Sequence, residues 1–188
     1  MIIGMAGPAR SGKDTAAEIL VSKFNFGAIG FADPIKRMIA TMLGETTEWI
    51  ENPAIKDTVL PNIRFSPRFL MQTIGTEWGR ETLDKDVWVR VAMRSMDKIL
   101  NLYHRKGVVF TDVRFENEAT QIRNIGGVIC HITRPGQDYV HAHASEIGIK
   151  FQPSDFKLNN SRTIDYLHGQ VEAVIESYDR LIAMRRRD

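Results

Sequence analysis

The sequence has few of the features that mark secreted, membrane-bound or nucleic-acid-binding proteins. Its single cysteine, Cys130, excludes an internal disulfide and agrees with a reducing compartment. No apolar run approaches the ~18 residues that a membrane span needs, and Met1-Ile2-Ile3 carries no basic leader of a signal peptide. The net charge of +2 is too small to argue for nucleic acid. We therefore expect a cytoplasmic protein without a membrane or nucleic-acid partner.

What the chain does contain is typical of a folded α/β protein. Its 188 residues, 43% hydrophobic and 26% charged, suit a single domain that spans residues 1–188 and carries an inserted lid. Short apolar runs alternate with helical patterns, and the run at 107–110 is continuous, as in a parallel sheet covered on both faces. Five strands are predicted, at Ile2 to Ala6, Phe26 to Phe31, Gly107 to Asp112, Val128 to Ile132 and Phe156 to Leu158.

The most informative stretch follows the first strand and reads Gly7-Pro8-Ala9-Arg10-Ser11-Gly12-Lys13-Asp14-Thr15. A strand, a glycine-rich turn and a helix form the setting of a phosphate-binding loop, in which backbone N–H groups surround phosphate oxygens and Lys13 would reach the β- and γ-phosphates. Asp14 stands where Ser or Thr is usual, and the hydroxyl of that residue usually ligates Mg²⁺. Here either Thr15 or a water held by Asp14 would have to be the ligand. The alternative is an ordinary turn between a strand and a helix.

Two further strand ends carry charged residues that suit the same site. Asp112 ends a buried strand, where a carboxylate beside a phosphate loop holds Mg²⁺ directly or through water; the alternative is an N-cap for the next helix. Arg114 would face the same crevice, and Arg134 would lie at the root of a lid over about 135–152. That loop carries His141, His143 and Glu146. The His141 and His143 pair could bind a metal, but no third ligand is in view for it, so we favour a lid over a metal site.

The region of about 32–90 has the features expected for binding an acceptor. Lys36 lies in the first turn of a helix, where a cation opposes the helix dipole; a solvated charge is the alternative. Residues 45–67 are expected to form a mobile connecting segment. A helix predicted over Pro67 to Leu83 carries a polar row every four residues. Gly75 and Gly79 lie one turn apart in it, and such a pair suggests close approach by another backbone or a flat ligand. The row and the glycines together favour a nucleobase slot over a solvent face. The row comprises Arg68, Gln72, Thr76 and Arg80.

Several of these runs together resemble the phage-type deoxynucleoside monophosphate kinases. The resemblance covers nearly the whole chain and rests on the glycine loop, Phe31 to Lys36, Gln72 to Arg80, Asp112 to Ala119 and Ile132 to Pro135. The family also carries Asp at the position of Asp14. The resemblance implies an α/β P-loop NTPase fold: a three-layer sandwich with a five-stranded parallel sheet, a helical region that binds the nucleoside monophosphate, and a lid loop.

The resemblance also implies the reaction, which is transfer of a phosphoryl group from ATP to a deoxynucleoside monophosphate (dNMP), with Mg²⁺. ATP would be held by Gly7, Arg10, Ser11, Gly12, Lys13, Asp14 and Thr15, and the metal by Thr15 and Asp112. The turn after the fifth strand, which contains Asn160, is a natural place for the adenine of ATP. The acceptor phosphate would be bound by Lys36, Arg68 and Arg80, and the base by Gln72, Thr76 and Trp78, with Asp112 and Arg114 also on the substrate side. The transferred group would be stabilised by Lys13, Arg10, Arg114 and Arg134.

Other functions share part of this pattern. A dephospho-coenzyme A kinase or a phosphomevalonate kinase would have the same loop, although Trp78 beside two glycines favours a flat base. A DNA-dependent ATPase would carry a basic stripe or aromatic platforms, which the near-neutral charge does not favour. A homodimer is common for related folds, but no heptad or exposed apolar strip in the sequence argues for one.

Overall fold

The structure, a computed structural model, describes residues 1–137 and 147–185. The chain forms two compact units. The sheet unit combines Met1–Ile29 with the chain from Met93 onward, and the helical unit comprises Gly30–Ala92. Within the described residues, no helix combines the length and the apolar character that crossing a membrane requires.

The sheet unit is built on five parallel strands, as predicted. They are β1 (Ile2–Ala6), β2 (Phe26–Ile29), β3 (Gly107–Phe110), β4 (Val128–Thr133) and β5 (Phe156–Asn159), in the spatial order β2-β3-β1-β4-β5. β2 and β3 end two residues earlier than the apolar runs predicted. Because all strands run in the same direction, their carboxyl ends, and the loops that follow them, lie along one edge of the sheet.

Helices cover both faces of this sheet. On one face, α1 (Lys13–Phe24) and α8 (Ile164–Arg185) pack on inward side chains such as Ile3 and Met5. On the other face, α7 (Glu116–Asn124) contributes Ile122, which packs at Gly4 beside Ile129. The alternation of neighbouring strand residues between the two faces gives the three layers that were predicted.

The helical unit consists of short helices around its own core. These are α2 (Asp33–Leu43), α3 (Thr47–Glu51), α4 (Pro53–Lys56), α5 (Pro67–Gln72), a π-helix (Thr73–Leu83) and the start of α6 (Val87–Leu102). Ile39, Ile50 and Trp88 are buried at its centre. Within the connecting segment predicted over 45–67, the structure has two short helices, because Thr46 and Asn52 cap α3 and α4 through their side chains.

The prediction of one α-helix over Pro67 to Leu83 was also wrong in part. From Thr73 the turns widen, and the Asp84 N–H donates to the carbonyl five residues earlier, at Gly79. The glycines meet protein side chains: a Cβ on Gly79 would lie 2.6 Å from Nε1 of Trp88, whose indole N–H donates to the Gly75 carbonyl at 2.8 Å. The close approach inferred from these glycines therefore exists, and its partner is the unit's own buried tryptophan.

Candidate functional site

The glycine loop lies between the end of β1 and the start of α1, in a conformation that requires its glycines. Gly7 and Gly12 have φ angles of 151° and 105°. A Cβ on Gly7 would lie 2.4 Å from the Ile132 carbonyl oxygen, and one on Gly12 would lie 2.3 Å from Nδ2 of Asn160. Any larger residue would therefore push the loop away from β4 and from the turn after β5.

Lys13 is the buried cation of this loop, with 6% of its surface exposed. Its Nζ donates to the carbonyl oxygens of Gly7 at 2.8 Å and Pro8 at 2.7 Å, and it lies 3.6 Å from Oδ1 of Asp112. Burial lowers the pKa of Lys13, and the negative charge of Asp112 opposes that effect. The ammonium group is thus held inside the loop by weak acceptors that a phosphate could replace.

Asp112 and Arg114 belong to the loop between β3 and α7. Oδ2 of Asp112 accepts a hydrogen bond from Nε of Arg114 at 2.5 Å, while Oδ1 faces Lys13. The alternative role of Asp112 as an N-cap is excluded, because α7 begins at Glu116 and its N-cap is Phe115. The structure therefore brings one carboxylate between two of the cations that the sequence assigned to phosphate binding.

The donor set of this site suits Mg²⁺. Oδ1 of Asp112 and Oγ of Ser11 are buried and have no hydrogen-bond partner among the described residues. Both are hard oxygen atoms, which Mg²⁺ and its waters prefer. The described part of the chain holds no group of three or more His, Cys, Asp or Glu side chains able to cage a metal. An ion held here would therefore depend on phosphate oxygens for further ligands, as Mg²⁺ in nucleotide sites does.

Asn160 braces the glycine loop from the turn after β5. Its Nδ2 donates to the Ser11 carbonyl at 2.9 Å, and its backbone N–H donates to the Thr133 carbonyl at 2.8 Å. The sequence placed Asn160 near the adenine of ATP, and that role remains a prediction. What the structure adds is a direct link between β4, β5 and the loop.

The other cations and polar groups predicted around ATP are less confined. Arg10 is exposed in the loop, with a φ of 61°, and Asp14 is exposed while Thr15 is half-buried at the start of α1. Arg134 is exposed in a turn that closes onto Gln137. The predicted lid is described only at its two ends, and His141, His143 and Glu146 lie outside the described residues.

The cations predicted to bind the acceptor phosphate lie in the helical unit, where each has a partner. Nζ of Lys36 is 2.7 Å from Oε1 of Glu51. Arg68 forms an ion pair with Asp57, in which its Nη2 lies 3.3 Å from Oδ2. Nη1 of Arg80 donates to a backbone carbonyl at 3.1 Å. Their roles as phosphate ligands stay predictions, and two of the three are neutralised by carboxylates in this structure.

The residues predicted to line the base follow the same helical stretch. Gln72 and Thr76 are half-buried, while Trp78 is 43% exposed. The exposure of so large an aromatic side chain leaves its ring available to a ligand. Trp88, in contrast, is buried in the core of the helical unit.

Sequence reasoning missed two buried polar features. Glu118 is 2% exposed and accepts hydrogen bonds from the N–H groups of Arg114 and Phe115. Glu118 lies three residues after the N-cap of α7, where the glutamate of a capping box lies, but the N-cap is Phe115, whose side chain has no acceptor, so the sequence carries no capping-box signature here. The other feature joins elements distant in sequence: Asp155 accepts hydrogen bonds from Arg123 at 2.7 Å and contacts Nε2 of His131 at 3.0 Å.

Comparison with known proteins identifies the family. A family model described as deoxynucleotide monophosphate kinase matches residues 44–171, more than half of the chain. The chain belongs to the deoxynucleotide monophosphate kinase family. The matched segment begins after the glycine loop and contains both Gly75 to Arg80 and Asp112 to Glu118. The resemblance predicted from the residues is therefore confirmed.

Relatives in this kinase family come from viruses and phages. A protein of Acanthamoeba polyphaga mimivirus, provisionally named a deoxynucleotide monophosphate kinase, is 29% identical over 188 residues, which cover 94% of this chain and 97% of that protein. The deoxynucleotide monophosphate kinase of Enterobacteria phage T4 is 27% identical over 121 residues, 63% of this chain and 49% of that protein. The aligned region thus spans about half of the T4 enzyme.

Solved structures agree on the fold. An unliganded sugar kinase from Janibacter sp. superposes with a TM-score of 0.50, covering 93% of each chain at 12% identity. At that identity the similarity concerns the fold alone, an α/β arrangement with helices on both faces of a parallel sheet. The family membership rests on the sequence comparisons.

Proposed function

We propose that the protein transfers the γ-phosphoryl group of ATP to a deoxynucleoside 5′-monophosphate, giving ADP and the diphosphate. The observation that carries this proposal is the carboxylate of Asp112 held between Lys13 and Arg114 at the glycine loop. Two cations and one carboxylate beside a ring of backbone amides form a site for a polyphosphate with its metal. The family supplies the class of acceptor.

The residues of the loop bind and orient the donor. The backbone amides from Gly7 to Thr15 surround the phosphates, and Lys13 exchanges its contacts with the Gly7 and Pro8 carbonyls for phosphate oxygens. Arg10 is exposed beside the loop and reaches toward the γ-phosphate or the acceptor phosphate. Arg114 and Arg134 neutralise charge on the transferred group, for which arginine is suited by its paired donors.

Asp112 and Thr15 would hold Mg²⁺, with Oδ1 of Asp112 as the buried oxygen that has no hydrogen-bond partner among the described residues. When bound, the ion supplies charge neutralisation across the phosphate oxygens. The acceptor is already an anion, so no side chain needs to act as a general base. The protein's own contribution is positioning and electrostatic stabilisation.

The helical unit binds the acceptor in this proposal. Lys36, Arg68 and Arg80 hold its phosphate, which requires Lys36 and Arg68 to leave Glu51 and Asp57. Gln72, Thr76 and the exposed ring of Trp78 contact the base. The cytoplasmic location, the independence from nucleic acid and the homodimer that is common for related folds remain predictions.

A coupled ADP-release assay tests the proposal. The enzyme is offered ATP and Mg²⁺ with dTMP, dGMP, dCMP and dAMP, their ribose counterparts, dephospho-coenzyme A and phosphomevalonate in parallel. We expect turnover with at least one dNMP, abolished by Lys13→Ala and retained by Lys23→Ala, an exposed lysine on the same helix. Turnover only with a non-nucleotide acceptor would keep the phosphate site and overturn the assignment of the substrate.

A further inference from the structure

A buried carboxylate beside the phosphate site is not used by the mechanism proposed above. Glu118 lies in the first turn of α7 and is 2% exposed. Its Oε2 accepts hydrogen bonds from the backbone N–H of Arg114 at 2.8 Å and of Phe115 at 3.1 Å. A buried charge is costly unless it is paired or hydrogen-bonded, so these contacts account for its position.

The two bonds hold the loop that carries Asp112 and Arg114. On the other side, the loop is fixed by Val113, which is 2% exposed and whose N–H donates to the Met5 carbonyl at 2.8 Å. With the backbone fixed at Val113 and at Arg114, the side chains of Asp112 and Arg114 meet at 2.5 Å, and Asp112 faces Lys13 at 3.6 Å.

A purely structural role at the helix start would look different. In a capping box the glutamate bonds only to the N–H of the N-cap residue, here Phe115, and Phe115 has no side-chain acceptor to complete such a box. Glu118 reaches one residue further, to Arg114, and that additional bond acts on a residue of the phosphate site. The neighbouring Glu116, whose side chain is 47% exposed, already supplies negative charge at the same helix end.

We infer that Glu118 is a positioning residue for phosphoryl transfer: through the backbone of Arg114 it sets the distance between Arg114, Asp112 and Lys13. This inference rests on the proposed function and adds a residue to it. Because it acts through other groups, its loss should lower kcat and the contribution of Mg²⁺ to ATP binding. The KM for the acceptor should change less than kcat, since most of the predicted acceptor ligands, Lys36, Arg68, Arg80, Gln72, Thr76 and Trp78, lie in the helical unit.

The test compares Glu118→Ala with Glu118→Gln and with Glu116→Ala. Displacing reacting groups by about 1 Å can cost up to about a hundredfold in rate, so we expect kcat to fall by roughly tenfold or more in Glu118→Ala. Glu118→Gln keeps an oxygen that can accept from Arg114 and should retain kcat within about threefold of the wild type. Glu116→Ala controls for loss of an acidic residue at the same helix end and should leave kcat unchanged.

Isothermal titration of ATP with and without Mg²⁺ supplies a readout that needs no turnover. The Mg²⁺-dependent gain in affinity should shrink in Glu118→Ala, while binding of ATP without Mg²⁺ shows that the loop is still folded. Equal kcat and equal Mg²⁺ dependence in wild type and Glu118→Ala would overturn the inference, and so would equal losses in Glu116→Ala. Failure of the wild type to phosphorylate any dNMP would instead overturn the proposed function and leave the titration to decide on Glu118.

Discussion

Replacing Gly79 by alanine tests whether this glycine serves packing or a ligand. In the structure a Cβ at Gly79 would lie 2.6 to 2.7 Å from three atoms of the Trp88 indole. The ring cannot move aside easily, because Trp88 is 5% exposed and its N–H donates to the Gly75 carbonyl at 2.8 Å. The added methyl group must therefore displace the ring or the π-helix.

The magnitude follows from three effects. Overpacking a core costs typically about 1–3 kcal/mol, and losing the indole hydrogen bond costs about 1 kcal/mol more. Alanine regains roughly 0.5–1 kcal/mol of helix preference over glycine. Overpacking and the lost hydrogen bond together outweigh the gain in helix preference. We therefore expect Gly79→Ala to lower the free energy of unfolding by about 1–3 kcal/mol. For a protein of this size that corresponds to a melting temperature about 3–10 °C lower.

The assay is urea and thermal unfolding followed by tryptophan fluorescence and circular dichroism. Gly169→Ala is the matched control: it lies within α8, is exposed, and a Cβ there meets no atom of the described residues within 4 Å. It should raise stability by about 0.5–1 kcal/mol. Gly75→Ala should have a small effect, because its Cβ meets only the end of Ile35 at 3.1 Å.

The reasoning would be refuted if Gly79→Ala were as stable as the wild type. If the variant also lost affinity for dNMPs while remaining stable, the glycine would instead border the base. The two roles of the glycine therefore differ in whether unfolding or substrate affinity responds.

Three further predictions concern charged residues. Burial raises the pKa of Asp155, but hydrogen bonds from Arg123 and other donors outweigh that effect and lower the pKa overall. The stability this gives is present above the unfolded pKa of about 3.9 and is lost as pH falls through the folded value, so the difference in unfolding free energy between wild type and Asp155→Asn, measured in urea, should shrink below about pH 4. Glu51→Gln frees Lys36 from its ion pair and should lower the KM for dNMPs about two- to fivefold in steady-state assays; an unchanged KM in this variant and in Lys36→Met would remove Lys36 from the acceptor site. Burial lowers the pKa of Lys13, so ATP affinity, measured by titration calorimetry from about pH 7 to pH 10, should fall as the lysine loses its proton; Lys13→Met should lack that slope.

Much of the phosphate site could be predicted from the sequence because its chemistry is encoded locally. The residues from Gly7 to Thr15 are consecutive, and glycines and a lysine at this spacing after a short strand are typical of a phosphate-binding loop. Asp112 was predictable from its place at the end of an apolar run, since parallel strands bring their carboxyl ends to one edge. Placing Asp112 beside Lys13 required only the strand order that such folds share.

The sequence was a weaker guide where the partner of a residue is distant along the chain. Gly75 and Gly79 signalled a close approach, but whether the approaching group was a ligand or Trp88 depended on how α6 packs. The start of the π-helix at Thr73 likewise had no local signal, because α- and π-turns use the same residue types and differ in hydrogen bonds.

By itself, then, the sequence determined the order of the five strands, the phosphate loop and the family, because turn chemistry, apolar periodicity and consecutive motifs are local properties. Only the tertiary structure decided which charges meet: Lys36 with Glu51, and Asp155 with Arg123. These pairs join residues 15 to 32 positions apart, and nothing in either residue's neighbourhood specifies the other. Packing of the hydrophobic cores brings them together, and their electrostatics follow from that placement.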